Sequence, residues 1–384
     1  MSTVIVQECK SYELDNVIAK INSGIELLGG WDRFVKPGMK VLLKVNLLGP
    51  KPSGSAAITN SEFVRAVIRI LVQRQCKVWV GDSSGGAIPG RAVTGKSFAV
   101  SGIEKVAAEE GAEIKNFDRE GVVEAGRKDN SGEVLFLAKP MFEADMVINL
   151  PKFKTHMVAA YTGAIKNLYG CIPGLKKAEY HKSAPTSAQF GEVLADINQA
   201  LKVDLHIVDG IVAMDGQGPT TGNPYAANKI LIGTDALALD TVACKMINLN
   251  IGEIPFYKAS IERRLGEYML ERIKVAGDYS APPVLPGFKL PFKITRGKLL
   301  NLMSAFINFM KARPQVDLQQ CKRCNVCVDS CPVKAIDKES KRIDYKRCIE
   351  CMCCHELCMY KAVELKRVNS LAAFITRRTG RTGR

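Results

Sequence analysis

Short apolar runs of strand-forming residues alternate with helically periodic segments along the first two-thirds of this chain. Candidate strands are 39–45, 77–81, 113–117, 145–150, 204–208 and 228–233. Candidate helices are 61–74, 101–110, 187–201 and 234–248. Strands that are apolar throughout, with helices between them, predict an α/β fold: a mainly parallel sheet flanked by helices on both faces.

In an open parallel sheet, ligands bind beyond the carboxyl ends of the strands. Polar residues gather at those ends here. Lys44 and Asn46 close the first candidate strand, Asp82 follows the second, and Asp209 follows 204–208. After 145–150 comes a dense basic stretch, residues 151–181, holding Lys152, Lys154, His156, Lys166, Asn167, Lys176, Lys177 and His181. Two of the chain's four histidines lie in it. Gly163, Gly170 and Gly174 in the same stretch permit close backbone approach. This chemistry suits a small carboxylate or phosphate. Asn46, Asp82, Lys152, Lys166, Asn167 and Asp209 are the expected substrate-binding residues. His156, His181 and Lys154 are the expected proton-transfer residues.

Composition changes the picture at the other end. Of thirteen cysteines, nine lie between Cys321 and Cys358. They read Cys321-x2-Cys324-x2-Cys327-x3-Cys331-Pro332, then Cys348-x2-Cys351-x2-Cys354-x3-Cys358. A shift of 27 residues maps the first four onto the second four, and Lys334-Ala335-Ile336 onto Lys361-Ala362-Val363. This internal repeat predicts a pseudo-symmetric, small α+β module. Three cysteines at such spacing wrap one cubane while the fourth reaches the other. One 4Fe–4S cluster is therefore expected on Cys321, Cys324, Cys327 and Cys358, and a second on Cys331, Cys348, Cys351 and Cys354. Zinc, which favours separated pairs of ligands, fits the run poorly. Met359 replaces the proline of the first half. Cys353 is a ninth cysteine, either an alternative ligand or a non-ligating thiol, and His355 sits between two ligand positions.

Other signals carry less. Gly90–Ser97 spells a phosphate-loop pattern, but Pro89 and further loop residues separate it from the strand, and the helix is expected nearer Ser101. Asp209, Asp215, Asp235 and Asp240 are acids that could hold a divalent cation, with Asp240 read as a cap or pairing residue instead.

The net charge of +15 is concentrated in two segments, 279–316 and 366–384, with six basic residues each and no acid. The main domain is thus near neutral, and nucleic acid is not an expected partner. Residues 296–313 join an apolar stretch to basic ends, as a domain connector or a surface for anionic lipid does. No run reaches the ~18 apolar residues of a membrane span. The N-terminus lacks the pattern of a secretory signal, so the expected location is the cytoplasm.

The strings NLPKFKTH, TGAIKNLYGCIPG, MDGQGP at 214–219 and GTDALALDTVA at 233–243 resemble the family known as domain of unknown function 362. The resemblance covers roughly residues 1–260 and implies an α/β fold with an iron–sulfur link, without an assigned activity. Residues 316–366 resemble the two-cluster 4Fe–4S ferredoxins. The expected organisation is an α/β domain at 1–285, a basic connector at 286–315, the cluster module at 316–366 and a basic tail at 367–384.

Two functions fit this sequence. One is an iron–sulfur oxidoreductase that passes electrons from a ferredoxin-like partner to a small anion in the α/β cleft. The other is an electron-transfer accessory that serves a partner enzyme.

Overall fold

The computed structural model describes residues 2–85, 93–125, 134–157, 159–174, 176–184, 186–291, 312–358 and 360–367. Most of the connector, most of the tail, Met359 and positions 90–92 of the phosphate-loop pattern lie outside them.

The strands are β1 (Ser2–Glu8), β2 (Lys40–Lys44), β3 (Lys77–Asp82), β4 (Glu113–Asn116), β5 (Val122–Glu124), β6 (Phe136–Ala138), β7 (Met146–Asn149), β8 (Lys152–His156), β9 (Ala160–Thr162), β10 (Leu205–Asp215), β11 (Asn223–Tyr225), β12 (Lys229–Gly233) and β13 (Ile273–Gly277). The central sheet runs β13-β1-β12-β10-β7-β2-β3-β4. From β10 to β4 every neighbour is parallel. β12 runs antiparallel to both β1 and β10. The sheet is therefore mixed: five of the six expected strands lie in its parallel part, and 228–233 runs antiparallel.

Alternation along the strands feeds two cores. Val41 and Leu43 of β2 pack to one face and Leu42 to the other, as the two-residue period of a strand requires. Helices Leu14–Glu26, Ser61–Gln73 and Ile103–Glu109 cover one face through Val17, Ile21, Phe63, Val67 and Ile103. Helices Ser187–Ala200 and Ala236–Met246 cover the other through Phe190, Leu194, Leu239 and Val242. Two helices are anchored by caps: the Asn60 side chain accepts the Glu62 N–H, and Thr186 and Gln189 form a reciprocal capping box.

Helix Thr94–Ser101 corrects one expectation. It begins at Thr94 rather than near Ser101, so Gly95-Lys96-Ser97 lie inside its first turns. The Ser97 hydroxyl bonds to Ser84 and to the Val93 carbonyl. Its role there is to tie helix to strand end.

The chain leaves β2 for β3 and β4, then returns to place β7 on the opposite side of β2. That reversal is a topological switch point, where the loops beyond the strand ends part and leave a crevice.

The C-terminal module is closed by β14 (Ala312–Val316) pairing antiparallel with β15 (Val363–Arg367). The 27-residue repeat is visible in its backbone. Arg323, Asn325 and Lys334 take positive φ, and so do their counterparts Glu350, Met352 and Lys361. Asn325 and Met352 precede the short helices Val326–Asp329 and Cys353–Leu357. Two sequences thus adopt one local fold despite sharing few non-cysteine residues.

Candidate functional site

The switch point carries a cavity of about 110 Å³. Its floor is built from strand ends. Lys44, at the end of β2, is completely buried and pairs with Asp82, at the end of β3, at 2.9 Å. Asp82 also accepts the N–H groups of Leu47 (2.6 Å) and Ser83 (2.8 Å). Buried charge is tolerated only when paired and hydrogen-bonded in this way.

Three side chains interlock above the pair. Asn46 donates to Asn167 Oδ1 at 2.6 Å and accepts from Lys154 Nζ at 2.7 Å. Asn167 in turn donates to Asn149 at 2.7 Å. Lys154 also donates to the Ala57 carbonyl at 2.5 Å. These bonds fix the rotamers of groups that line the cavity, which is what preorganisation requires. Lys166 lies over the rings of Tyr169 and Phe190, at 4.9 and 5.3 Å. His156, at the end of β8, accepts the Ala159 N–H on Nδ1 at 3.1 Å.

A further cation closes the floor. Lys177 Nζ donates to the Ser83 carbonyl (2.6 Å), the Ser83 hydroxyl (2.5 Å) and the Ser84 carbonyl (3.3 Å). The Ser83 hydroxyl donates to Asp118 at 2.5 Å. Burial pushes the Lys177 ammonium down to about 8, against the pull of Asp118 and Asp82. Among the described lining residues, Lys154, Lys166 and Lys177 face one carboxylate, Asp82. That imbalance favours an anion.

Of the expected site residues, Asn46, Asp82, Lys154, His156, Lys166 and Asn167 line this cavity. Lys152 and Asp209 do not. They pair at 2.7 Å in a buried triad with Tyr12, whose hydroxyl donates to Asp209 at 2.7 Å and accepts from Lys152 at 2.8 Å. Lys152, Lys154 and His156 share one face of β8, but Lys152 stands roughly 13 Å along the strand from His156. His181 falls in helix Lys176–Ser183, and its side chain lies outside the described residues. The four aspartates do not converge. Asp240 accepts the N–H groups of Ala164 and Ile165, Asp235 caps the helix at Ala236, and Asp215 accepts the Lys289 N–H.

The roof is the C-terminal module. Ser330, Cys353 and Leu357 line the cavity from above. Each directly precedes a cysteine of the motif: Cys331, Cys354 and Cys358. The Thr221 hydroxyl meets His355 Nε2 at 2.9 Å, and the Val363 carbonyl receives a bond from His355 Nδ1 at 2.6 Å. His355 thus bolts module to domain. Leu47, Leu48 and Gly85, beyond the carboxyl ends of β2 and β3, and Cys353 and Leu357 of the helix Cys353–Leu357 line one cleft. Sequence patterning could not reveal this roof, because docking between distant segments leaves no local period.

Several motif cysteines share one small core, Cys327, Cys354 and Cys358 with Cys321 and Cys331 packed against them, although among the described residues no three such side chains converge on a single ion. Burial pushes the Cys327 thiol up to about 11, and Cys358, Cys321 and Cys324 raise it further. Burial also pushes Cys354 well up, with Cys351, Cys348, Cys327 and Cys331 adding to it. Thiols raised in this way give up their protons on binding an electron-poor centre, which an iron–sulfur cluster would supply. Equivalent N–H groups reach two of the sulfurs: Ala335 to Cys331 and Ala362 to Cys358, both at 3.2 Å.

An α/β domain whose switch-point cleft is roofed by a cysteine-rich ferredoxin-type module defines an iron–sulfur protein. The chain belongs to the family described as Domain of unknown function (DUF362), whose model matches residues 41–245. A 4Fe-4S dicluster domain matches residues 313–359. A thylakoid-associated protein of Synechocystis sp. is 35% identical over 268 residues, covering 69% of this chain and 80% of that protein. Among solved structures, the lactate racemase apoprotein of Thermoanaerobacterium thermosaccharolyticum is 15% identical, with a TM-score of 0.38 over 63% of this chain and 56% of that one. A protein from Thermotoga maritima is 14% identical, with a TM-score of 0.35 over 64% of this chain and 59% of that one. The chain thus spans little more than half the length of these two structures. Among the described residues, no helix is long and apolar enough to cross a membrane.

Proposed function

We propose that this protein is a ferredoxin-linked oxidoreductase that passes single electrons to a small anionic molecule in the switch-point cleft. One observation carries the reading: residues adjacent to three motif cysteines form one wall of a cavity whose other wall is rich in lysine. An electron source and an anion site share one enclosed space.

In this reading two 4Fe–4S clusters supply the one-electron chemistry. Cys321, Cys324, Cys327 and Cys358 hold one, and Cys331, Cys348, Cys351 and Cys354 hold the other. Lys154 and Lys166 orient the carboxylate or phosphate, with Asn46 and Asn167 holding Lys154 in place. His156, whose Nδ1 is occupied by the Ala159 N–H, gives a proton from Nε2. The roof excludes water. Thirteen cysteines without a disulfide suit a reducing cytoplasm. The basic connector and the thylakoid association of the Synechocystis relative support peripheral contact with an anionic membrane.

The test is anoxic. Reduced holoprotein is mixed with a panel of small carboxylates and phosphates, and the return of visible cluster absorbance is followed. One chemical class should reoxidise the clusters, and Lys154→Met with Lys166→Met should abolish this without loss of iron. No reoxidation by any member would sink the oxidoreductase reading and leave delivery to a partner enzyme.

A further inference from the structure

The two halves of the module are equivalent in backbone but not in surface. In the first half, Lys322, Arg323 and Cys324 are exposed, and no acid lies between Asp317 and Asp329. Cys324 alone among the thirteen cysteines is exposed. Leu318, in the turn just before, leaves 58% of its surface in water.

Shifted by 27 residues, these positions become Tyr345, Ile349, Glu350 and Cys351. That edge is covered. Arg313 of β14 pairs with Glu350 at 3.2 Å and lies over the Tyr345 ring at 5.2 Å, while the Tyr345 hydroxyl donates to the Pro314 carbonyl at 3.1 Å. Cys351 is correspondingly less exposed. Of two edges related by the repeat, one is bridged by Arg313 and mixed in charge, with Lys346 and Arg347 beside Asp344 and Glu350, and the other is open, with exposed Lys322 and Arg323 near an exposed Leu318.

None of Leu318, Lys322, Arg323 and Cys324 lines the cleft. Ser330 and Cys353, which line it, adjoin Cys331 and Cys354 of the second ligand set, and Leu357 adjoins Cys358 of the first. Cys324 belongs to the first set. Both ligand sets therefore adjoin the cleft, while Cys324 of the first set faces solvent on an edge that does not line it.

We infer that the Leu318–Lys322–Arg323–Cys324 edge is the docking surface for a small acidic one-electron carrier protein. Leu318 supplies the desolvated contact, and Lys322 and Arg323 steer the acidic partner. Each docking event oxidises the carrier by one electron and reduces the module by one. No bond is made or broken and no proton moves. The inference rests on the oxidoreductase reading for the destination of the electron, but not for the entry point, which is measured with no molecule added to the cleft.

The test uses cluster-loaded full-length protein and a reduced, acidic plant-type 2Fe–2S ferredoxin as probe. Stopped-flow bleaching gives the reduction rate. Affinity is read separately with a redox-silent, gallium-substituted form of the same ferredoxin. Lys322→Glu combined with Arg323→Glu should slow reduction and weaken binding about tenfold or more at low salt. The difference should shrink toward parity near ~0.5 M salt, where the screening length is a few ångströms. Leu318→Ser should slow reduction at every salt concentration. Methyl viologen radical cation, which needs no acidic face, should reduce the double variant at least as fast as wild type. That control shows intact clusters. Charge reversal at the exposed Lys338 and Lys346 should leave the ferredoxin rate unchanged. Equal loss from the Lys338 and Lys346 reversals, or no loss from the Lys322 and Arg323 reversals, overturns the assignment. So does a wild type that the viologen reduces and the ferredoxin does not.

Discussion

Gly170 leaves no room for a side chain against Asp82: a Cβ there would stand 2.2 Å from Asp82 Oδ1 and 2.7 Å from Lys44 Nζ. The glycine backbone therefore completes the cleft floor by touching its buried ion pair directly. Gly170→Ala must push the carboxylate away from the ammonium. Breaking a buried pair costs about 3–5 kcal/mol, because each charge is left without its partner. The urea midpoint should fall accordingly, and phosphate binding in the cleft should be lost with it. An unchanged midpoint would mean that the Leu168–Cys171 turn shifts to accommodate the methyl group, leaving the pair intact.

Lys177 makes the cleft sensitive to pH. Its neighbours are Asp118, Asp82, Lys44 and Cys171, and burial brings it to about 8 from 10.5. Below that value the ammonium is charged and attracts an anion; above it the attraction fades. Phosphate affinity measured by calorimetry should fall as pH rises through about 8, and Lys177→Met should be weak and flat over the same range. The stability term has the opposite sign. Between about 8 and 10.5 the unfolded chain holds this proton and the folded chain does not, so stability from Lys177 rises with pH across that window. A wild-type affinity that is level across pH 8 would remove Lys177 from the anion site.

Much of this architecture is legible from local pattern. The six candidate strands all occur, within a residue or two at most ends, except that 204–208 extends to β10 ending at Asp215. The motif spacing anticipates the backbone repeat of the module. What escapes is what depends on distant partners. β1 lies outside the six expected strands, and it is stabilised by β12 and β13 from more than 200 residues away. Lys152 and Asp209 have the composition of a site, but their charges are satisfied by each other and by Tyr12, which is 197 residues from Asp209. Residue type alone cannot separate such a structural triad from the cleft lysines. The roof residues Ser330, Cys353 and Leu357 were invisible for the same reason.

Asp240 offers a stability test away from the cleft. Burial raises its carboxyl from 3.8 to about 7, against the N–H groups of Ala164 and Ile165 and the Tyr257 hydroxyl. The folded protein thus holds a proton that the unfolded chain releases between those values. Stability from this group is present in acid and is lost as pH rises through about 7. Melting temperature should decline from pH 5 to 7.5, and Asp240→Asn should flatten that decline while lowering stability in acid through the altered cap. An identical slope in the variant would assign the pH dependence to other groups.

Cys353 decides whether the module uses eight cysteines or nine. The 27-residue shift places it opposite Val326, so the first half forms its cluster loop with no sulfur at that position. Cys353 also opens the helix Cys353–Leu357 and lines the cleft, whereas its backbone neighbour Cys354 packs in the core with Cys327 and Cys358. We therefore propose that Cys353 is a non-ligating thiol. Cys353→Ser should keep about eight irons per chain and an unchanged reduced-state EPR spectrum. Cys354→Ser should lose iron. If both variants lose it, Cys353 is a ligand and the repeat is broken at the cluster itself. If Cys353→Ser keeps its iron but alters discharge into a cleft-bound anion, the thiol acts where the module meets the cleft.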